Sequence, residues 1–298
     1  MDLDRRIEVL ASSILPTCNS YGLFDVSPPP QRHTRANIIA TFASCCAPDN
    51  ASPEGTLLAA RLTAIFFFLD DVPKSELHVY VQQMLDALRN PSVSHSFRPQ
   101  VCAFEDYFRD ISTFGDTAQF RQQFEAFLLA LLEEAELLDR GPITLETYKN
   151  IRHRVIFVEE YIWTWFLSER INPRAAVLGQ TAQLRRLASE VVYLVNDIGS
   201  VARERSSGSK DPNLVLLLER EYELEEGLAT ETVIKLHNKT AAAYKAERAR
   251  LFETDGSAVM QSIVGVIDCV VFGNLETTKR LATSRYDESR KTLELLIL

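Results

Sequence analysis

The segment Glu54–Asp71, EGTLLAARLTAIFFFLDD, is apolar on almost every side when it is drawn as a helix. Such a helix is typical of the centre of a helical bundle rather than of its surface. Ser52 or Pro53 suits its start, and Pro73 ends it because proline disfavours a helical backbone at the preceding residue. The segment therefore predicts a buried central helix that carries two carboxylates at its C-terminal end.

The composition of the whole chain agrees with a helical protein. Of its 298 residues, 46 % are hydrophobic and 24 % charged, which suits a large buried core. The chain has only 11 glycines and 12 prolines, few for a sandwich or barrel with many turns. Its formal net charge is −9 and no segment forms a basic stripe, so nucleic acid is not an expected partner.

The cysteines and the apolar runs indicate the cellular compartment in which the protein is expected. The five cysteines form an odd set without metal-site spacing, which favours free thiols in a reducing compartment, the cytoplasm. The N-terminus has acids and lacks the apolar core of a secretory signal. No run reaches the roughly 18 apolar residues of a membrane span, and the nearest, Ala258–Gly273, is interrupted by Gln261 and Asp268. We expect no membrane span.

Helical patterns separated by turn signals fill the rest of the chain. The expected helices are about His33–Cys46, Lys74–Leu88, Val101–Thr113, Thr117–Leu138, Leu145–Leu167, Ala182–Arg205, Asn213–Glu221, Thr230–Glu253, Ser257–Asn274 and one after Arg285. Ser206–Pro212 is polar and contains glycine, so it is expected to be a mobile loop. No linker or repeat divides the chain, and one all-α domain over residues 1–298 is predicted, with ten or so helices.

The strongest local motif lies on one of these helices. Asn196, Ser200 and Glu204 are spaced i, i+4, i+8 and so project from one helix face. Their amide, hydroxyl and carboxylate oxygens can hold a Mg²⁺ that keeps some of its waters. A solvated polar face is the alternative, but the helix is otherwise apolar, and buried oxygens without a partner are costly.

Asp70-Asp71 forms a second candidate, directly after the aromatic run FFFL. Acids at the C-terminal end of a helix oppose its dipole, so a bound cation would relieve both that conflict and their mutual repulsion. A plain helix stop before Pro73 explains the same residues, and both interpretations stay open.

Two pairs of an arginine and a tyrosine complete the set of candidate site residues. Tyr148 and Arg152 are i, i+4 on one helix, and Arg285-Tyr286 lies near the C-terminus. The planar fork of arginine gives bidentate hydrogen bonds to phosphate. Arg152 and Arg154 point roughly 200° apart on a helix, so only one of them can face a bound phosphate; the shared face with Tyr148 favours Arg152.

In their order along the chain, these motifs resemble class I terpene synthases of the microbial type. Asp70-Asp71 resembles the aspartate-rich motif of that family, and the segment from Asn196 through Arg203 to Glu204 resembles its second metal motif. Arg152, 44 positions before Asn196, stands about where the family places its diphosphate-sensing arginine. The C-terminal Arg-Tyr pair and Gly273-Asn274 also match. The resemblance spans about residues 40–290.

Two positions depart from the family pattern. The third acid usually follows the first Asp by four or five positions, where this chain has Lys74 and Ser75, and the next acid is Glu76. Thr277 replaces an aromatic residue that commonly lines the hydrocarbon pocket. Because Pro73 breaks the helix, Glu76 is expected to be at most an outer partner of the metal site.

The resemblance implies a single-domain α-bundle with a central apolar cavity that ionises and cyclises a prenyl diphosphate, farnesyl diphosphate first and geranylgeranyl diphosphate second. It implies three Mg²⁺ ions, with Asp70, Asp71, Asn196, Ser200 and Glu204 as ligands, and a monomer or homodimer. The diphosphate partners would be Arg152, Arg203, Arg285 and Tyr286. Aromatic faces stabilise carbocations without reacting with them, and the candidates are Phe67, Phe157, Tyr161, Trp165 and Phe272.

Two other functions are weighed against this one. A chain-elongating prenyltransferase of the same fold carries two Asp-rich motifs, whereas here the second motif reads Asn-Asp…Ser…Glu, which favours cyclisation. A non-catalytic helical binding protein is favoured only by Lys74 in the place of an acid.

Overall fold

The computed structural model describes residues 2–25, 28–90, 98–207, 212–281 and 290–298. All regular structure in these residues is helical, which confirms the predicted all-α fold. The α-helices are α1 (Leu3–Ser20), α2 (Arg32–Cys45), α3 (Pro53–Asp71), α4 (Lys74–Arg89), α5 (Pro99–Ile111), α6 (Ala118–Arg140), α7 (Leu145–Val155), α8 (Val158–Ser168), α9 (Ala175–Gln180), α10 (Ala182–Ser207), α11 (Leu214–Tyr222), α12 (Glu226–Thr254), α13 (Ala258–Leu281) and α14 (Arg290–Leu293), with a 3-10 turn at Pro29–Gln31.

The ends of α3 follow from its sequence. The Ser52 hydroxyl accepts a hydrogen bond from the Gly55 N–H at 2.9 Å and caps the helix, whose first residue is a proline. Val72 is extended, with ψ 139°, so α3 ends at Asp71 before Pro73. A Cβ on Gly55 would lie 2.9 Å from the Cβ of Ser168, so the first turn of α3 needs glycine to approach the end of α8.

The chain divides into two compact units, and a single domain over residues 1–298 stays a prediction. The first unit comprises Met1–Leu132 and Glu159–Asn172. Its core contains a cluster of fully buried phenylalanines from α5 and α6 that meet edge to face, a favourable geometry for aromatic rings. The cluster consists of Phe104, Phe108, Phe120, Phe124 and Phe127.

The second unit comprises Glu133–Val158 and Pro173–Leu298. Its helix α10 packs against α7, α11, α12, α13 and α14. Buried apolar side chains from these helices form one core cluster, which includes Tyr148, Val195, Ile198, Leu214, Val233, Leu275 and Leu293. The predicted metal motif therefore lies on a helix that packs against five others of this unit.

One predicted helix is interrupted. Sequence periodicity indicates one helix over about Leu145–Leu167, but α7 ends at Val155 and α8 begins at Val158. Phe157 between them has φ 69°, a left-handed conformation that costs a residue with a Cβ roughly 1–2 kcal/mol. No Gly or Pro marks this break in the sequence, so tertiary packing imposes it.

Other departures concern helix number and length. The structure adds α1 and α9 to the expected helices, and it extends α10 two residues beyond Arg205. The helix α13 continues seven residues beyond Asn274, to Leu281, because Leu275, Thr277 and Thr278 are buried in the second unit.

The helix α13 is also the one described helix long and apolar enough to cross a membrane. In its most apolar window, 56 % of the residues are buried within the chain. The core helix of a globular protein has the same length and composition, so this feature is weak support for a membrane span.

Candidate functional site

The helix α10 carries the three side chains of the predicted second metal motif. Asn196, Ser200 and Glu204 follow one another at intervals of four residues and share one face. Ser200 is fully buried, and the other two are partly exposed. Ile198 and Val201 fix the helix in the core beside them. Thus α10 presents an amide, a hydroxyl and a carboxylate oxygen from a helix that is otherwise held by apolar packing.

Asp197 is fully buried next to this face and joins three helices. Its Oδ2 accepts hydrogen bonds from the Tyr148 hydroxyl of α7 and from the backbone N–H of Leu214, the latter at 2.7 Å. Its Oδ1 accepts from Arg152 at 2.9 Å. Burial raises the pKa of the Asp197 carboxyl, while Arg152 and the hydrogen bonds oppose that rise. Asp197 therefore connects α7, α10 and the start of α11.

Arg152 contacts the metal motif directly. Besides Asp197, its Nη2 donates to the Asn196 Oδ1 at 3.0 Å. Burial is the largest influence on Arg152 and disfavours its charged form, but Asp197, Tyr148, Glu134 and Glu204 together outweigh burial and raise the pKa of Arg152 above its ordinary value. Its Nε is buried and has no hydrogen-bond partner among the described residues. The guanidinium thus stays charged and keeps an N–H for a further acceptor.

Arg154, the alternative candidate on α7, lies in a different environment. It forms an ion pair with Glu133 at 2.7 Å, and its side chain is 41 % exposed, against 15 % for Arg152. Tyr148 is fully buried and shares the Asp197 contact with Arg152. The two arginines thus occupy separate faces of α7, with Arg152 on the face of Tyr148.

Asn213 lies beside the candidate metal ligands of α10, although its place in the sequence predicts only the start of a helix. It is buried at the N-cap of α11, where its Oδ1 accepts from the Val215 N–H at 2.9 Å. Its Nδ2 donates to the Glu204 Oε2 at 2.8 Å and lies 3.4 Å from the Ser200 Oγ. Its place directly after a polar loop and before an apolar helix is an N-cap signal, but the link to Glu204 depends on the fold.

The carboxylate of Glu204 is largely buried. Burial raises its pKa, and hydrogen bonds from Ser200 and Asn213 oppose the rise. Arg203, the predicted basic residue before it, has a side chain that is 46 % exposed and lies 3.7 Å from the Glu204 Oε1. A cation at Glu204 would counter the cost of burying its charge.

These residues fit the divalent metal that the motif implies. The donor set consists of oxygen atoms only, which is the chemistry that Mg²⁺ selects. The unpartnered Nε of Arg152 fits an anionic ligand that accompanies such a metal. Among the described residues, no three His, Cys, Asp or Glu side chains gather into a cluster, so a site on α10 depends on the asparagine and serine oxygens.

Asp70 and Asp71 lie in the first unit, at the last two positions of α3, and both are exposed. The following helix α4 begins at Lys74, and Glu76 lies in its first turn, with its N–H bonded to the Pro73 carbonyl at 2.8 Å. The two aspartates and the next acid, Glu76, therefore lie on separate helices on either side of Pro73.

Asp71 has an arginine partner that the sequence pattern does not predict. Arg35 of α2 forms an ion pair with Asp71 and donates to the Phe67 carbonyl at 2.9 Å. Its guanidinium also lies 5.8 Å from the Phe67 ring centre and 5.9 Å from that of Phe24. These residues are 36 positions apart in sequence, so spacing alone gives no sign of the pair.

The candidate aromatic residues differ in burial. Trp165 is fully buried, its ring meets that of Tyr161 edge to face at 6.2 Å, and its Nε1 has no partner in the described part of the chain. Phe157 is buried at the break between α7 and α8, and Phe67 is partly buried. Phe272 is 43 % exposed, because it lies on the outer side of α13, and so differs from the rest.

Arg285 and Tyr286 lie outside the described residues, as do residues 208–211 of the predicted Ser206–Pro212 loop. Their proposed contacts with diphosphate rest on the sequence motif.

A comparison of the sequence with protein-family models agrees with the metal motif found on α10. The family model described as terpene synthase family 2, C-terminal metal binding, matches residues 61–243, more than half of the chain and inclusive of the whole α10 motif. The chain belongs to terpene synthase family 2. The predicted resemblance to class I terpene synthases is thereby confirmed.

The chain is similar to a characterised protein, the (−)-β-caryophyllene synthase ((2E,6E)-farnesyl diphosphate cyclizing) of Saccharothrix espanaensis. It is 32 % identical over 116 residues, which cover 36 % of this chain. The match spans only 33 % of the length of that relative.

Solved structures of bacterial terpene synthases share the fold. The linalool/nerolidol synthase of Streptomyces clavuligerus in complex with 2-fluorogeranyl diphosphate superposes with a TM-score of 0.81 at 16 % identity, covering 91 % of this chain and 98 % of that one. The 2-methylisoborneol synthase of Streptomyces coelicolor A3(2), in complex with Mg²⁺ and geranyl-S-thiolodiphosphate, gives 0.81 at 18 % identity, over 95 % and 93 % of the two chains.

Proposed function

We propose that this terpene synthase family 2 chain is a Mg²⁺-dependent terpene cyclase. It would ionise a linear prenyl diphosphate, cyclise the carbocation to a hydrocarbon or terpene alcohol, and release diphosphate. The observation that carries this proposal is the cluster in the second unit, where Arg152 contacts both Asn196 and Asp197 beside Ser200 and Glu204. A charged arginine next to three oxygen donors suits a metal-bound polyanion.

Asn196, Ser200 and Glu204 would hold one Mg²⁺, and Asp70 and Asp71 would hold the others of the three that the resemblance implies. Bound Mg²⁺ supplies positive charge that polarises and neutralises the leaving diphosphate oxygens. Arg152 would donate to the diphosphate through its guanidinium, which Asp197 and Tyr148 hold in one orientation. Arg203, Arg285 and Tyr286 would add further hydrogen bonds as the C–O bond breaks.

The carbocation requires an apolar wall that excludes water. Phe67, Phe157 and Trp165 would provide aromatic faces, which attract a cation through their quadrupole and do not act as nucleophiles.

Farnesyl diphosphate is the proposed substrate, with geranylgeranyl diphosphate second, and the name of the caryophyllene synthase relative supports the C15 choice. The five cysteines, all in the described part of the chain, form no disulfide with one another, which supports a cytoplasmic enzyme. A monomer or homodimer is proposed as the active form.

The proposal is tested by incubation of the protein with C10, C15 and C20 prenyl diphosphates and Mg²⁺, with analysis by gas chromatography. A cyclic C15 product that disappears when the metal is chelated is expected. Parallel reactions with isopentenyl diphosphate detect chain elongation. Elongated diphosphates in those reactions, or no product from any substrate, would contradict the proposal.

A further inference from the structure

The amide of Asn213 connects the start of α11 to the oxygen-bearing face of α10. Its Nδ2 donates to the Glu204 Oε2 at 2.8 Å and to the Asp197 backbone carbonyl at 2.9 Å, and it lies 3.4 Å from the Ser200 Oγ. One amide group thus contacts two of the three proposed metal ligands. Asn213 itself is only 1 % exposed, so water does not compete for these contacts.

The position of Asn213 is fixed from its other side. Its Oδ1 caps α11 through the Val215 N–H, while the next N–H, that of Leu214, donates to the Asp197 carboxylate. Asp197 is in turn held by Tyr148. Since both ends of the Asn213 amide are bonded, its N–H groups point at α10 in a defined direction.

The residue type also suits this place. A carboxylate that is to bind a cation needs a fixed orientation, and a neutral donor gives it without adding to the positive charge that Arg203 already places 3.7 Å from Glu204. A side-chain amide donates hydrogen bonds without net charge. It therefore orients the Glu204 carboxylate and leaves its negative charge for the metal.

We propose that Asn213 is a positioning residue, which acts through Glu204 and Ser200 to hold them in the geometry that binds Mg²⁺. This inference rests on the proposed function, since it concerns the same metal site. Partners of metal ligands commonly contribute a factor of 10–100 to metal affinity. The loss of the Asn213 amide is therefore expected to weaken metal binding about tenfold while the protein stays folded.

The substitution Asn213→Ser separates this role from helix capping. Serine caps helices about as well as asparagine, so the cap on the Val215 N–H is kept, but its shorter side chain cannot reach Glu204. Asn213→Thr retains a capping hydroxyl in the same way and provides a second version of the test. Circular dichroism establishes that both variants are folded.

Asn238→Ser is the matched control in the same unit. The Asn238 amide donates to the Leu295 carbonyl at 3.2 Å and accepts from the Ile297 N–H at 3.1 Å, and its Oδ1 lies 2.9 Å from the His237 Nδ1. The Asn238→Ser variant loses a comparable set of hydrogen bonds, but none of these partners lies on α10.

The measurement is Mn²⁺ binding in the presence of inorganic diphosphate, followed by electron paramagnetic resonance of the free ion, together with the Mg²⁺ concentration needed for half-maximal turnover. We expect the Mn²⁺ dissociation constant to rise about tenfold in Asn213→Ser and to stay within about twofold in Asn238→Ser. A double variant with Glu204→Gln should lose little more than Glu204→Gln alone, because the two residues act as a unit.

Unchanged or tighter Mn²⁺ binding in folded Asn213→Ser and Asn213→Thr would overturn the inference, and so would an equal loss in Asn238→Ser. In those cases the wild type still binds Mn²⁺ with diphosphate and the proposed function stands. A wild-type protein that binds no Mn²⁺ and turns over no prenyl diphosphate refutes the proposed function itself, and this inference with it.

Discussion

The two carboxylate-bearing regions proposed to bind metal are built in opposite ways. Asp70 and Asp71 are exposed at the last turn of α3, and Asp71 pairs with Arg35. Glu204 is largely buried in the second unit, where Asn213 and Ser200 contact it and Asp197 connects its helix to α7 and α11. The chain itself therefore holds the oxygen-bearing face of α10 through buried hydrogen bonds, whereas the two aspartates are exposed at the end of α3 and Asp71 shares its charge with Arg35.

The largest expected effect is on α10. Glu204→Gln keeps the shape and the hydrogen bond from Asn213 but removes the charge that would attract the metal. Turnover should fall roughly 10²–10³-fold, with the helical circular dichroism unchanged. Steady-state kinetics at saturating Mg²⁺ checks this, and near wild-type turnover would remove Glu204 from the metal site.

The two arginines of α7 provide a matched pair. Arg152→Ala removes the group that contacts Asn196 and Asp197, whereas Arg154→Ala removes a half-exposed partner of Glu133. We expect turnover to fall roughly 10²-fold for Arg152→Ala and less than about threefold for Arg154→Ala. The reverse order of the two effects would show that the wrong face of α7 meets the diphosphate.

At the end of α3 the expected effects are smaller and differ among three acids. Asp70→Asn, Asp71→Asn or both should raise the Mg²⁺ requirement, because each replaces a charged carboxylate by a neutral amide. Glu76→Gln should change it little, since α4 starts after Pro73. Turnover across a Mg²⁺ titration measures all three, and the account of Pro73 as the boundary fails if Glu76→Gln is the most damaging.

Another buried carboxyl, Glu160 of α8 in the first unit, shows how burial acts on a pKa. Burial raises the pKa of Glu160 to about 8, although the hydrogen bond from Gln123 opposes the rise. The folded state holds the Glu160 proton more tightly than the unfolded chain does, so binding of this proton stabilises the fold. This contribution to the unfolding free energy is complete below about pH 4.5 and is lost as pH rises through about 8.

The smallest effect predicted is accordingly on stability. Relative to wild type, Glu160→Gln should gain on the order of 1–3 kcal/mol in unfolding free energy between pH 5 and pH 8, because glutamine stays neutral. Denaturant unfolding at both pH values measures this, with the partly exposed neighbour variant Glu159→Gln as control. An equal difference from wild type at the two pH values would show that Glu160 is already ionised in the folded protein.

The sequence predicts features that depend on local rules. The end of α3 at Asp71 follows from Pro73, and the shared face of Asn196, Ser200 and Glu204 follows from helical periodicity. Family membership was likewise predictable, because several motifs occur in the order that the family requires.

Features that depend on contacts between distant segments were not predictable. The pair of Arg35 and Asp71 joins residues 36 positions apart, and the role of Asp197 needs α7 and α11 in place. The break at Phe157 lacks any Gly or Pro, so only packing reveals it. Asn213 could be predicted as a cap but not as a partner of Glu204.

The most direct test of the central claim is a crystal structure of the protein with Mn²⁺ and inorganic diphosphate, with the metal located by anomalous scattering. Mn²⁺ accepts the same oxygen ligands as Mg²⁺. The account predicts an anomalous peak within coordination distance of the Asn196 Oδ1, the Ser200 Oγ and the Glu204 carboxylate, with Arg152 bonded to the diphosphate. A diphosphate bound with Mn²⁺ elsewhere, and no peak at this face of α10, would contradict it.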